Sequence, residues 1–317
     1  MFAYTVRRIL QSFIVLFGLT LLIFFMLKMA PGDPAVIMAG LGATPETIQS
    51  IRDKLGLDRP LYEQYWRLVS GLFNGRLRAV TFHAGVWEII FERLPATLEL
   101  GVLGLLIALV ISIPAGLLSA VYRETPLDYG VTTVALLGIS TPVFWTALIL
   151  MLLLGVVLRV LPISGRGATV GLWSFVTWDG LRHLIIPSLA LSSVLMAMNA
   201  RLTRASMLQV LRQEYITTAR SKGLREWKVI AKHAFRNAMA PVLTNVGLQI
   251  STIAAGAVLT ETTTAWPGMG RLMVEALNRR DEAVVLGLAL FLAAVAQVGY
   301  LAVDLMYAWV DPRITYD

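Results

Sequence analysis

The sequence contains no cysteine and only three histidines, at positions 83, 183 and 233. The absence of cysteine excludes a disulfide framework, thiolate metal sites and cysteine nucleophiles. The histidines are too far apart in the sequence to form a recognisable metal-ligand pattern. The chain also has no Walker A pattern, no H-E-x-x-H and no G-x-S-x-G. The sequence therefore predicts neither an enzyme nor a protein with a metal or organic cofactor of its own.

Charged residues are scarce as well: they make up 15% of the 317 residues, while 57% are hydrophobic. Soluble domains have about a quarter of their residues charged. The mean hydropathy is +0.71, and apolar runs of about 20 residues, each long enough to cross a bilayer, recur along the chain. The formal net charge of +7 is typical of Lys and Arg that set membrane topology, which we favour over nucleic-acid binding. The sequence predicts an all-α polytopic membrane protein.

Six transmembrane helices are predicted, at about 9–30, 96–120, 131–157, 184–200, 238–260 and 283–308. The first run is too long for a signal peptide and has no clean cleavage site, so we expect a retained helix. The periodicity of "RLTRASMLQVL" predicts that the fourth helix continues beyond its apolar run. With both termini inside, the inner side holds thirteen Lys and Arg, and the two short outer loops hold six. The positive-inside rule therefore predicts cytoplasmic N- and C-termini.

The outer segment at 31–95 is predicted to contain two short amphipathic helices. In the first, Thr44 is the expected N-cap, Pro45 lies in the first turn and Gly56 ends the helix. In the second, Pro60 precedes the helix and Gly75 follows it. The helices either lie on the membrane surface or pack against the spans.

The predicted spans are nearly free of charge, since Lys28, Glu99, Glu261 and Asp304 lie towards span ends. Ion-coupled carriers place ionisable residues in the middle of the membrane, so any transport is expected to draw its energy elsewhere. One span carries Ser140, Thr141 and Pro142 in "GISTPVFW". Polar groups beside a helix break suit a wet translocation path. Ser and Thr joining helices by hydrogen bonds is an equal alternative.

A basic, polar stretch lies between two very apolar segments: "EYITTARSKGLREWKVIAKHAFRNAMAP", at 214–241. Its pattern predicts a short helix from Thr217 to Lys222, ended by Gly223, then a second helix. The second is expected to place Trp227, Ile230, Ala231 and Ala234 on one face. Composition alone leaves two interpretations open. The stretch either seats in a cleft of a soluble partner or binds anionic lipid headgroups.

The residue pattern favours the first interpretation. "EYITTARSKGL" resembles the cytoplasmic EAA loop of ABC importer permeases in its peptide-importer form, with Thr217, Thr218, Ala219 and Gly223 on the Glu-Ala-Ala and Gly positions. The leading Glu is missing, and the later Pro is displaced to Pro241. Further segments resemble the dipeptide/oligopeptide/nickel permeases in the same order, and they are "MAPGDPA", "LGLDRPLYEQYW", "RLPATLELG", "IPAGLLSAVYR", "LPISG", "ETTTAWPGMGRL" and "DLMYAWVDPR". The chain departs from the family's pattern at "NGRLRAVTF" and at Thr264.

The resemblance implies a type I ABC importer permease fold and a bacterial inner-membrane protein that takes up peptides or a related solute. It implies an added first helix and outer segment (1–94), a five-helix core (95–308) with a coupling loop at about 206–237, and a cytoplasmic tail (309–317). The implied partners are a second permease, two P-loop ATPases that bind the ATP and Mg, an extracytoplasmic solute-binding protein and membrane lipid. The residues implied in coupling are Glu214, Tyr215, Thr218, Ala219, Arg220, Lys222 and Gly223. An ion-coupled secondary transporter and a non-transporting membrane scaffold remain the alternatives.

Overall fold

The computed structural model describes residues 2–40, 42–255 and 258–310, and the side chains at 2–5, 251–255 and 302–310 lie outside that description. The architecture is helical. Two compact units divide the chain, one formed by 1–97 with 267–317 and one by 98–266. Residues 311–317 of the predicted tail and the side chain of Asp304 lie outside the described part.

The helices follow one another along the whole chain. They are α1 Phe2–Met29, α2 Pro34–Ala39, α3 Pro45–Leu55, α4 Leu61–Phe73, α5 Val86–Val121, α6 Pro126–Ser140, α7 Val143–Leu150 with a π-helical continuation Met151–Val157, α8 Trp178–Leu211, α9 Glu214–Ser221, α10 Glu226–Lys228 with a π-helical continuation Val229–Phe235, α11 Arg236–Ala255, α12 Val258–Thr263, α13 Met269–Asn278 and α14 Glu282–Val310. The predicted extension of the fourth span is confirmed, because α8 reaches Leu211.

In the first unit, α1 packs along α14. Lys28 near the end of α1 bonds both carboxylate oxygens of Glu282 at 2.8 Å. Apolar side chains from the start of α5, from α4, α13 and α14 form the core of this unit, including Leu72, Ile90 and Leu272. The ion pair neutralises the charge of Lys28 at the end of its span.

The predicted helices of the segment at 31–95 are both present, as α3 and α4. The Thr44 side chain accepts a hydrogen bond from the Thr47 amide of α3 at 3.3 Å, as an N-cap residue does. Gly56 ends α3 in the left-handed conformation, with φ of 68°. Local chemistry therefore sets these boundaries as the sequence predicts.

In the second unit, α8 packs against α6, α7 and α11. Glycines allow the helices to approach closely. A Cβ at Gly116 of α5 would lie 2.5 Å from the carbonyl oxygen of Ala200, and one at Gly138 of α6 would lie 3.0 Å from the Cβ of Ala197. Small residues at such crossings are typical of helices that pack within membranes.

Four helices in the described chain are long and apolar enough to cross a membrane: 6–29 of α1, α5, α8 and 282–301 of α14. The pair α6 and α7 with its continuation adds a fifth if it counts as one span, and it is bent by 107°. The sequence predicts one span at 131–157 with a helix break beside Pro142, and the structure has this break at the bend. The residue before Pro142 is pushed away from helical geometry, and Thr141 is extended, with φ of −92° and ψ of 125°.

The predicted span at 238–260 corresponds to α11 and α12. Helix α11 is not among the candidate spans of the described chain. It carries Asn237, Asn245 and Gln249, which lower its hydropathy. The structure thus describes an all-helical membrane protein with four or five candidate spans.

Glu99 of α5 is buried and satisfied within the second unit. Its carboxylate accepts hydrogen bonds from Arg166 Nη2 at 3.0 Å and from Ser174 Oγ at 2.7 Å. The backbone amide of Ser174 donates a further hydrogen bond to it. The guanidinium of Arg166 also lies over the ring of Trp266, 5.9 Å from its centroid. This carboxylate therefore ties a loop to α5, and it is not an isolated charge in a span.

Candidate functional site

The segment at 214–223 forms a helix of eight residues, about two turns, followed by a sharp turn. Helix α9 begins at Glu214, three residues before the predicted start. The Thr218 hydroxyl donates to the Glu214 carbonyl at 3.0 Å. Gly223 follows with φ of 71°, and its amide bonds the Arg220 carbonyl at 2.9 Å. Nothing lies within 4 Å of a Cβ built at Gly223, so the backbone conformation, and not crowding, calls for glycine there.

One face of α9 is buried in the chain's own core. Ile216 is 0% and Ala219 7% exposed. They share a cluster with Ala120, Met207, Val229, Ala234 and Ala238, which come from α5, α8, the second π-helical segment and α11. The loop is thereby fixed to the ends of the long helices of its unit. Ala219, one of the residues implied in coupling, faces this core.

The opposite face of α9 is exposed and polar. Glu214, Thr218, Arg220, Lys222 and Gly223 all lie on the exposed surface. Tyr215 is also exposed, and its hydroxyl accepts a hydrogen bond from Asn237 Nδ2 at 2.9 Å. The residues implied in coupling are thus brought together, except that Ala219 points inward.

Arg220 pairs within the chain. Its Nη2 lies 2.7 Å from Glu226 Oε1, and its Nε lies 3.2 Å from Oε2. The hydrogen bonds from Arg220 hold the pKa of the Glu226 carboxyl below its usual range. The sequence did not predict this pair, since the two residues lie on either side of the turn at Gly223.

The predicted face of Trp227, Ile230, Ala231 and Ala234 does not form. Trp227 is 62% exposed, whereas Ala234 is fully buried. The segment Val229–Phe235 is π-helical, and its hydrogen bonds join residues five apart. Val229 and Ala234, which are five apart, therefore share the buried face. An α-helical period assigned the wrong residues to that face.

Ser140, Thr141 and Pro142 lie at the bend between α6 and α7. Ser140 and Pro142 are exposed and Thr141 is half-buried. Helix α7 begins after the break, where the backbone amide of Thr146 donates a hydrogen bond to the Pro142 carbonyl at 3.1 Å. The polar residues thus stand at a helix break, as the sequence predicts for this position.

An open groove of about 730 Å³ lies in the same unit, and Thr132, Ile139, Arg201 and Asn245 are among its lining residues. Behind Asn245 lies a cluster of amides. Asn245 Nδ2 donates to Asn199 Oδ1 at 2.9 Å, and Asn199 Nδ2 donates to Gln249 Oε1 at 3.0 Å. Sequence reasoning missed these residues, although an amide within an apolar helix is the signal that would have found them.

A second missed group holds α6 to α8. Arg204 Nε and Nη2 each lie 2.7 Å from an oxygen of Asp128. The Ser119 hydroxyl bonds the same carboxylate. Among the described residues, no group of three or more His, Cys, Asp or Glu could hold a metal ion. The site is a set of helix contacts and an exposed loop, with no arrangement of groups for covalent chemistry in the residues named above.

Comparisons with known proteins agree with this arrangement. Residues 112–316 match the family "Binding-protein-dependent transport system inner membrane component", and residues 1–101 match the N-terminal family of the same membrane components. The chain is 40% identical over 339 residues to the dipeptide transport system permease protein DppB of Escherichia coli K12, covering 100% of this chain and 99% of that protein. It is 40% identical over 318 residues to the oligopeptide transport system permease protein AppB of Bacillus subtilis, covering both in full.

A solved structure of the methionine ABC transporter MetNI, in an inward-facing conformation, has a similar fold. The TM-score is 0.54 at 16% identity, over 71% of this chain and 96% of that chain. At this identity the likeness concerns the fold alone. The two family matches together cover nearly the whole sequence. The chain therefore belongs to the binding-protein-dependent transport system inner membrane components, a family of multi-pass inner-membrane proteins.

Proposed function

We propose that this protein is the permease subunit of an ATP-driven importer that takes up dipeptides or oligopeptides. The peptide assignment rests on relatives named for dipeptide and oligopeptide transport that are 40% identical over the full chain. The protein crosses the membrane six times, with both termini in the cytoplasm. In this topology α11 and α12 together form the fifth span, and the bent pair α6 and α7 forms the third.

The importer contains a second, similar permease, two P-loop ATPases on the inner face and a solute-binding protein outside. ATP and Mg are held by the ATPases. The family description itself implies a binding protein. Residues 1–94 are the peripheral addition and residues 95–308 form the core, with the tail at 309–317 in the cytoplasm.

The loop at 214–236 couples ATPase closure to helix movement, with α9 as the part that contacts the ATPase. The supporting observation is that α9 has one buried face and one exposed face. Ile216 is fully buried in a cluster with residues from α5 and α8, while the polar face of α9 is exposed. A force on the exposed face reaches the long helices through that cluster. A partner shifts the balance between two conformations only if it binds them differently, and the exposed face is where such differential contact is made.

Peptides pass along the second unit, beside the break at Ser140, Thr141 and Pro142. The support is the 107° bend there and the open groove lined by Thr132, Arg201 and Asn245. Broken helices at membrane depth are tolerated where they line a water-filled cavity. Selectivity is left mainly to the solute-binding protein.

The test is uptake by proteoliposomes that contain this chain with its partner permease and ATPases. A radiolabelled dipeptide presented with the binding protein is expected to accumulate with ATP inside and not with a non-hydrolysable analogue. Ionophores that collapse proton and sodium gradients are expected to leave the uptake unchanged. Uptake that follows the ion gradient and ignores ATP would identify an ion-coupled carrier and contradict the proposal.

A further inference from the structure

The first unit contains a strongly basic cavity that the transport function does not use. It has a volume of about 250 Å³ and lies among α3, α4, the segment at 76–80 and the start of α14. Five cationic side chains line it: Lys54, Arg67, Arg76, Arg78 and Arg280. The lining holds two carboxylates, Asp281 and Glu282. Cations therefore outnumber anions in a space the size of a small anionic group.

Both carboxylates are already engaged. Glu282 bonds Lys28 through both oxygens at 2.8 Å. The Asp281 carboxylate accepts hydrogen bonds from the hydroxyl of Thr81 at 2.6 Å and from the backbone amide of Thr81 at 3.0 Å. They do not pair with the five cations of the cavity. Five cations therefore line the cavity beside two anions that are bonded to other groups.

Three of the cations have no partner within the described residues. Arg78 donates to the His83 carbonyl at 3.3 Å, and Arg280 donates to the Ala30 carbonyl at 3.3 Å. The side chains of Lys54, Arg67 and Arg76 form no hydrogen bond or ion pair with any described residue. Guanidinium groups bind phosphate oxygens well, because their donors form a planar fork.

Arg67 passes close to the backbone of Gly56. Its Nη1 lies 2.4 Å from where a Cβ of Gly56 would stand. Gly56 therefore does two things: it ends α3 in the left-handed conformation, and its missing side chain leaves room for the guanidinium. The Arg67 side chain is exposed, and its guanidinium lies in the space that the absent Cβ leaves.

Helix α4 lies against a candidate span. Tyr65 bonds the Thr20 hydroxyl at 2.8 Å and contacts the ring of Phe24 edge-on, with centroids 5.4 Å apart. Thr20 and Phe24 belong to a candidate span. On another face of α4, Tyr62 and Trp66 are 72% and 68% exposed. Exposed aromatic residues beside a span are typical of the headgroup level of a bilayer.

We propose that this cavity binds the phosphate of an anionic phospholipid headgroup. In this assignment the basic groups lie at the level of the lipid phosphates, and Tyr62 and Trp66, on the side of α4 away from the cavity, lie in the same headgroup layer. Arg67 and Arg76 supply the donors for the phosphate oxygens, and Lys54 adds charge. The proposed lipid site does not depend on which solute is transported. A test of it can therefore fail without contradicting the peptide assignment, and the reverse also holds.

The test compares the full chain in nanodiscs of phosphatidylcholine alone and of phosphatidylcholine with phosphatidylglycerol. Native mass spectrometry of the released protein is expected to find phosphatidylglycerol retained in preference to phosphatidylcholine. The double variant Arg67→Gln/Arg76→Gln is expected to weaken retention on the order of 10–30-fold, since each basic residue near an anionic surface contributes about 5-fold.

The matched control is Arg59→Gln. Arg59 lies in the same segment, pairs with Glu63 at 3.5 Å and does not line the cavity. It is expected to leave the lipid preference unchanged. Equal retention of both lipids by the wild type, or equal loss in Arg59→Gln and the double variant, would overturn the proposal. A wild-type chain without preference for phosphatidylglycerol would overturn the proposal even if the double variant does not fold.

Inorganic phosphate separates the two sources of the same chemistry. Phosphate added to protein in phosphatidylcholine nanodiscs is expected to raise the thermal unfolding temperature less than phosphatidylglycerol does. An equal rise with free phosphate would mean a site for a soluble anion and would contradict the lipid assignment.

Discussion

Arg220 and Glu226 close the exposed loop across the turn at Gly223, with Nη2 of the arginine 2.7 Å from Oε1 of the glutamate. The pair joins α9 to the start of α10, so the turn between them is braced from both sides. The buried residues Ile216 and Ala219 attach the same loop to the core of its unit. The loop is therefore a short rigid piece and not a flexible connection.

Glu226→Gln tests the pH dependence of this brace. The folded pKa of Glu226 is lowered by Arg220, so the stabilisation is present above the unfolded pKa of about 4.3 and is lost as the pH falls through the folded value. The contribution is at most about 1 kcal/mol, because both side chains are largely exposed. Hydrogen exchange at 214–226, corrected for its intrinsic pH dependence, is expected to accelerate at acidic pH in the wild type only.

Glu214→Gln is the matched control for that experiment. Glu214 lies on the same helix, and its carboxylate makes no ion pair within the described chain. The control is expected to keep the acid-dependent acceleration of the wild type. The same acceleration in Glu226→Gln would show that the pair does not brace the loop.

Gly223→Val is expected to uncouple ATP hydrolysis from uptake. A β-branched residue at φ of 71° costs about 1–3 kcal/mol, which is on the order of one to two powers of ten in an equilibrium constant. Uptake by the reconstituted importer is expected to fall about tenfold or more, while hydrolysis by the ATPases continues. Both are measured in the same proteoliposomes at equal amounts of inserted protein.

Gly171→Val provides the comparison. Gly171 has φ of 59° and, like Gly223, nothing within 4 Å of a built Cβ, so the local strain is similar but lies in another loop. It is expected to keep hydrolysis and uptake coupled. Normal uptake by Gly223→Val at normal insertion would rule out the role given to this turn.

Gly116→Ala is expected to destabilise the second unit. The new methyl group would lie 2.5 Å from the Ala200 carbonyl oxygen and 2.8 Å from the Thr203 Cβ, so α5 and α8 would have to separate. Overpacking of this kind costs about 1–3 kcal/mol, measured as a lower unfolding temperature in detergent. Gly130→Ala, with nothing within 4 Å of its Cβ, is expected to be neutral or slightly stabilising. Equal behaviour of the two variants would refute the close crossing.

Asn199→Leu and Gln249→Leu are expected to be non-additive. The two amides bond each other at 3.0 and 3.3 Å and are nearly fully buried. Each single change is expected to cost about 0.6–1.7 kcal/mol, the range measured for hydrogen bonds between membrane helices. A double-mutant cycle on unfolding free energies is expected to give the double variant a smaller loss than the sum of the two. An additive result would mean that the amides act independently.

Sequence patterns correctly predicted the features of the fold that depend on residues close together in the chain. The cap at Thr44, the ends at Gly56 and Gly223 and the long course of α8 all follow from residues within a turn of the feature. The family resemblance was also confirmed, since many short motifs recur in one order across the chain.

Tertiary contacts set what sequence patterns did not predict. The segment at 229–235 is π-helical, so the residues it buries differ from those that an α-helical period predicts. The hydrophobic pattern of the sequence did not indicate a π-helix. Arg220, one of the residues implied in coupling, pairs with Glu226 across the turn, which the sequence did not predict. The amides at Asn199 and Gln249 lie 50 residues apart in sequence and meet only because α11 packs against α8.

Cross-linking from the coupling loop tests the central claim most directly. The chain has no cysteine, so a single Lys222→Cys variant carries one reactive thiol on the exposed face of the loop. A thiol-linked photo-cross-linker in native membranes is expected to capture a P-loop ATPase subunit from position 222. Tyr62→Cys, at an exposed residue of the segment assigned to the other side, is expected to capture none. If position 222 captures only lipid, the loop is a topological element and the account of coupling is contradicted.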